Sequence, residues 1–366
     1  MDTLSSDIVK NTYVLNTIQK IKFEDSIENK ILMAKTLLTN TDIIKSENAL
    51  CQFENETWYH EENSLNKFLE YKKKSSSFYR GVDCDASILC IVMYVLLSDE
   101  LELNNIVYQD NNKQKYELQS SIGKFRGDTL TSALHSLKLY LGSLWKRIDN
   151  NPLLQKQDRY RQFYNLFNEI ATTGIPKVPQ ENTDWISYCH QNCDIIWNAM
   201  DIKAKNFLKN YNMFGNYMCI PGNTYQISQN RSTSFNTARS NYGEWDTVDT
   251  LLIKIYAYYQ YSNDTYLKSI FTNKKDELTK ETLNWLENFK DWSDFINKNA
   301  LQPFVDKTTL TPICLKTGNP IKANEIENYD AIPKNYDEFL LFFKEVSERI
   351  KARNECIFDK IFSNPK

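Results

Sequence analysis

Residues 335–362 read NYDEFLLFFKEVSERIKARNECIFDKIF. Apolar side chains recur here at the spacing of an α-helix, at Phe339, Phe342, Phe343, Val346, Ile350 and Ile357. Charged residues fill most of the positions between them, so the pattern predicts one long amphipathic helix that closes the chain. A helix of this kind is typical of a mainly α protein.

Two earlier segments show the same helical period. In residues 129–147, with Thr129 as the expected cap, the apolar side is formed by Leu130, Leu134, Leu137, Leu141 and Leu144. In residues 246–261 it is formed by Val248, Leu251, Leu252, Ile255 and Tyr259. Glycine and proline are scarce, with nine of each among 366 residues, which favours helices over a turn-rich sandwich or barrel.

One region shows alternation instead of helical spacing. Residues 105–109 and 114–119 flank a polar, asparagine-rich turn, which is typical of a β-hairpin. The predicted fold is therefore mainly α, a multi-helix globular fold with a minor β-hairpin component. We expect residues 1–120 to form an N-terminal helical region with the hairpin near its end, and residues 121–366 to form a second helical domain. The alternative is one continuous globular unit. Between the predicted helices, residues 213–239 are expected to be irregular.

Charge and hydropathy exclude some classes of protein. The chain carries 44 basic and 47 acidic residues, a net charge of -3, which does not indicate a nucleic-acid binder. The longest apolar run, residues 88–97, is shorter than the roughly 20 residues that a membrane span needs. Residues 1–10 lack the basic start and apolar run of a signal peptide. We therefore expect a soluble, cytoplasmic protein, and a reducing compartment also suits its eight cysteines.

An ordered set of short motifs runs through the later two thirds of the chain. They are residues 127–132 (GDTLTS), 215–221 (GNYMCIP), 235–239 (FNTAR), 245–246 (WD), 292–295 (WSDF), 301–304 (LQPF), and Arg349 with Arg353. In this order and spacing they resemble a family of bacterial proteins with a domain-of-unknown-function label (the 6994 family), over about residues 120 to 362. The family has no assigned activity, so the resemblance implies a fold unit and no reaction. Ser240 departs from the pattern, since a glycine is expected after the motif arginine.

Six residues of these motifs are candidates for a ligand-binding site: Asp128, Asn216, Asn236, Arg239, Trp245 and Asp246. The planar guanidinium of Arg239 suits a phosphate or carboxylate ligand. The alternative is structural: Asp128 and Asn216 make turns, Asp246 caps a helix, and Arg239 pairs with a carboxylate. Asp249 follows Asp246 at the spacing of a capping arrangement, where the helix N-terminus favours carboxylates.

Cysteine and histidine occur together at Cys189-His190-x-x-Cys193, which has the residue types of a zinc site. A structural zinc site usually needs a second pair of ligands at short range, and none follows. On a helix, Cys189 and Cys193 would share one face with Ile186 and Trp197, which is typical of core residues. We therefore predict no metal and no cofactor.

The sequence contains no P-loop, no dinucleotide-binding glycine fingerprint and no nucleophile elbow. We expect a non-enzymatic binding or regulatory protein of a phage-related or defence-related system. The alternative is an enzyme that acts on a small anionic or nucleotide-like ligand in a pocket of the Asp, Asn and Arg candidates. A protein partner or a small anionic ligand fits the binding role, and no membrane partner is indicated. Convergence of the candidates in one concave site would favour the enzyme, and dispersal over caps and turns would favour the binding protein.

Overall fold

A computed structural model of the chain describes the parts on which the fold is built. They are residues 16–17, 20, 24, 26, 29, 32–33, 36–37, 65, 103–109, 115–120, 123–131, 133–149, 152–155, 189, 193–211, 213–221, 247–261, 284–326 and 329–362. Helices outweigh strands among these residues, which confirms the predicted mainly α class.

The structure bounds seven α-helices in the described part of the chain. They are α1 Ala133–Asp149, α2 Pro152–Gln155, α3 Cys193–Ala199, α4 Ile202–Asn210, α5 Val248–Gln260, α6 Trp292–Lys298 and α7 Tyr336–Phe362. The long helix α7 confirms the one predicted for residues 335–362. Short 3-10 turns lie at Phe214–Asn216, Gln302–Phe304 and Ala323–Glu325. Within the described residues, none of the helices combines the length and the apolar character that a membrane span requires.

Four strands form one antiparallel sheet in the order β1-β2-β3-β4. They are β1 Leu103–Gln109, β2 Lys115–Ser120, β3 Gly123–Thr129 and β4 Tyr217–Pro221. The pairing of β1 with β2 confirms the predicted hairpin. β3 pairs with β2 on one side and with the distant β4 on the other, so the β component is larger than the hairpin alone.

The sequence predicts neither β3 nor β4. Thr129 is the last residue of β3 and does not cap the following helix, which begins at Ala133. β4 lies inside the segment expected to be irregular. The local sequence of β3 does not favour a strand, because it reads GKFRGDT, and glycine and aspartate are depleted in strands. Its pairing with two neighbouring strands sets its conformation.

One hydrophobic core joins segments that are distant in the sequence. Phe343 of α7 is fully buried, and Tyr140 of α1 meets it edge-on with ring centroids 5.1 Å apart. Phe207 of α4 stacks on the same ring at 5.0 Å. Leu37 and Leu65 from the N-terminal region belong to this core as well. Because β2 and β3 also pair across the predicted boundary at 120/121, residues on both sides of it share one sheet and one core.

Candidate functional site

The described residues include two of the six predicted site residues, Asp128 and Asn216. Asp128 lies in β3 opposite Met218 of β4, so the turn expected at Asp128 is wrong. Asn216 is the last residue of the 3-10 turn that leads into β4. The two therefore lie at the same end of the sheet, where Thr129 pairs with Tyr217.

Four predicted site residues lie outside the described part of the chain: Asn236, Arg239, Trp245 and Asp246. The helix that Asp246 was expected to cap begins at Val248, and its N-cap position is held by Thr247. The cap expected at Asp246 falls on a residue outside the described part of the chain, so it stays a prediction.

Asn216 is fully buried, and its amide bonds to backbone groups of two other segments. Its Oδ1 accepts the Thr131 N–H at 3.0 Å, and its Nδ2 donates to the Thr131 carbonyl at 3.2 Å and to the Tyr211 carbonyl at 2.9 Å. The backbone carbonyl of Asn216 accepts the Leu130 N–H at 2.6 Å. These bonds extend the β3–β4 pairing beyond the last strand residues, so Asn216 has a structural role at this point.

Gly215 allows the turn before β4 to approach α7 closely. A Cβ added at Gly215 would overlap the backbone oxygen of Ile350 and lie 3.0 Å from the Asn354 nitrogen. The Gly215 N–H donates to Oδ1 of Asn354 at 3.3 Å. Only glycine fits where two backbones approach in this way.

Arg353 lies beneath the same turn and has only 1% of its surface exposed. Its Nη1 donates to the carbonyls of Gly215 at 2.9 Å and Tyr217 at 2.5 Å. Its Nε and Nη2 donate to the Asn299 carbonyl at 3.3 and 3.1 Å. The guanidinium therefore joins α7, the turn before β4 and the residue after α6. We call Gly215, Asn216 and Arg353 the β4 junction.

Asp249, in the first turn of α5, is the centre of a second buried network. Its Oδ1 accepts the Thr247 hydroxyl at 2.5 Å and the Thr250 N–H at 3.0 Å. Its Oδ2 accepts the Leu315 N–H at 3.2 Å and the hydroxyl of Tyr329. Burial raises the pKa of the Asp249 carboxyl, and the four donors oppose that rise because they favour the charged form. We call Asp249 and its four donors, Thr247, Thr250, Leu315 and Tyr329, the α5 network.

Tyr329 supplies the most distant donor of the α5 network. Burial, together with the charge of Asp249, raises the pKa of Tyr329 well above its usual value, so the phenol keeps its proton. Ile253, Cys314 and Ile321 form the apolar surroundings. The network therefore connects the start of α5 to two segments near the C-terminus in a water-poor environment.

Lys254 is a buried amine in the middle of α5. Its Nζ is buried, and no hydrogen-bond partner is found for it in the described structure. Burial lowers the pKa of Lys254 from 10.5 to about 7, so the amine is partly neutral near neutral pH. Such an amine can act as a base or nucleophile when a substrate lies beside it.

The cysteine pair weighed as a zinc site is buried. Cys193 begins α3, and burial raises the pKa of Cys189 to about 12, which keeps its thiol protonated. A buried thiol of this kind is typical of a core residue. Among the residues that the structure describes, no group of three or more His, Cys, Asp or Glu side chains is placed to hold a metal ion.

Residues 176–357 match the model of a family described as "Family of unknown function (DUF6994)". The resemblance to this family is therefore confirmed on that segment, which contains the β4 junction and the α5 network. The match begins after the motif at residues 127–132, so it is shorter than the resemblance over about residues 120 to 362. The chain matches no curated protein. It matches no solved structure.

Proposed function

We propose that this chain is a non-enzymatic binding protein in which a helical scaffold carries a binding segment, residues 222–246. The observation that carries the proposal is that buried polar networks hold the scaffold on both sides of this segment. On one side, β4 ends at Pro221 and is fixed through the β4 junction. On the other, α5 begins at Val248 and is fixed through Asp249. Binding groups are often carried between elements that a scaffold holds in place.

The ligand proposed for this segment is a small anion or a nucleotide-like molecule. The segment contains Asn236, Arg239, Trp245 and Asp246. A guanidinium can bind a phosphate or carboxylate through two parallel hydrogen bonds, and an indole can stack on a flat ring. Asn216 and Asp249, which lie on the two sides of this segment, bond to groups of the protein itself. These bonds support a scaffold role for Asn216 and Asp249.

An enzyme acting on the same kind of ligand is the second candidate. The observation that favours it is Lys254, whose amine is buried, lacks a hydrogen-bond partner in the described structure and has a pKa lowered to about 7. A lysine in this state could take a proton from a substrate at neutral pH.

The test compares ligand binding with ligand consumption, using the full-length chain. Native mass spectrometry would be run with a panel of nucleotides and small carboxylates, and each mixture would be followed over time by liquid chromatography and mass spectrometry. The variant is Arg239→Ala, and the matched control is Arg231→Ala, which removes the same charge from the same segment. Circular dichroism would establish that both variants fold.

The binding proposal predicts that the wild type and Arg231→Ala hold a ligand that stays chemically unchanged, and that folded Arg239→Ala binds it at least tenfold more weakly. A tenfold loss corresponds to about 1.4 kcal/mol, within the range for one charge-assisted contact. Consumption of the ligand, lost in Lys254→Met, would establish the enzyme instead. Equal binding by both arginine variants would overturn the role of Arg239, and no binding by the wild type would overturn a small-ligand function.

We propose that the protein is bacterial and cytoplasmic. Its resemblance is to a bacterial family, and Cys189 and Cys314 are buried thiols outside any disulfide bond. Buried thiols of this kind suit a reducing compartment.

A further inference from the structure

We draw no further inference here: the strongest candidate, the buried Lys254 amine in the middle of α5, rests on a lowered pKa and one unpartnered atom, and nothing in the described part of the chain shows what ligand would lie against it.

Discussion

At the scale of a single residue, Gly215 is the point where two backbones come closest. The Gly215→Ala substitution would place a methyl group against the Ile350 carbonyl and the Asn354 nitrogen, and neither backbone atom can rotate away. Either α7 or the turn must shift, and both are anchored in the core. We expect a loss of at least about 2–3 kcal/mol in the free energy of unfolding. Urea denaturation followed by circular dichroism measures it.

Gly142 provides the matched control for this substitution. It lies inside α1, and a Cβ added there meets nothing within 4 Å. Since alanine is the better helix former, Gly142→Ala should leave stability unchanged or raise it by up to about 1 kcal/mol. If Gly215→Ala were as stable as Gly142→Ala, the close approach of the turn to α7 would be wrong.

Asp249 also acts at the residue scale, because its two oxygens accept four donors. In Asp249→Asn one carboxylate oxygen becomes an NH₂ group. That group is a donor, and it would face two donors of the network that the oxygen had accepted. We expect a loss of about 2–4 kcal/mol at neutral pH. Tyr329→Phe removes one donor of the four and should cost about 1 kcal/mol.

The control for Asp249→Asn is Asp306→Asn. Asp306 also accepts bonds from nearby backbone groups, but its carboxylate is exposed to solvent. That substitution should change the free energy of unfolding much less than Asp249→Asn does, because water can replace the lost bonds. If Asp249→Asn and Asp306→Asn lost equal free energy of unfolding in urea denaturation, the buried α5 network would stabilise the fold no more than the exposed bonds of Asp306 do.

At the scale of an element, the buried Lys254 amine of α5 makes the free energy of unfolding depend on pH. The pKa of Lys254 is about 7 in the folded protein and near 10.5 when the chain unfolds. Between these values the unfolded chain binds more protons, so the free energy of unfolding rises with pH in this window. From pH 7 to pH 9 the rise from this group should be about 2–3 kcal/mol. Lys254→Met should remove it and stabilise the protein at pH 6.

Lys351→Met is the control for the pH dependence of α5. Lys351 is exposed on α7, so its removal should leave the rise with pH intact. The measurement is urea denaturation of the three proteins at pH 6, 7, 8 and 9. If the free energies of unfolding of the wild type and Lys254→Met differed by the same amount at every pH, the Lys254 amine would be hydrated or paired in solution.

The elements also show what the sequence could predict. α7 follows from its own pattern, because residues such as Phe342 and Val346 recur at helical spacing within one segment. β3 and β4 do not, because each is stabilised by a partner strand, and the pair is joined by residues as distant as Asp128 and Met218. Local patterns report local structure, and these strands form through long-range pairing.

The same division applies to the candidate site. The position of Asp249 at the start of a helix is visible in the sequence, because carboxylates are favoured there. Its bonds to Leu315 and Tyr329 span 66 and 80 residues and leave no local signal. Asn216 was identified from its motif, yet its pairing with Thr131 is also set by the fold. The roles of Asn236 and Arg239 stay predictions.

At the scale of the whole molecule, the family-matched segment depends on residues that precede it. β4 lies within residues 176–357, and its strand partner β3 lies outside them. Asn216 bonds to Thr131, and Tyr140 packs against Phe343, so both contacts cross the start of the match. The matched segment therefore lacks β3 and α1, which pack against its own core.

Residues 176–366 expressed alone should consequently fail to fold cooperatively. Without β3, the β4 backbone loses its pairing, and without α1 the ring cluster around Phe343 is open to water. The missing strand pairing and the three ring contacts of Tyr140 are a large loss compared with the roughly 5–15 kcal/mol by which domains are stable. Thermal unfolding followed by circular dichroism should show a broad, non-cooperative change for this fragment and a sharp transition for the full chain.

Co-expression with residues 1–175 should restore the sharp transition, since β3 and α1 can then associate with the fragment as parts of a separate chain. A sharp transition for the fragment alone would show instead that the family segment is an independent domain and that β3 and α1 are additions to it.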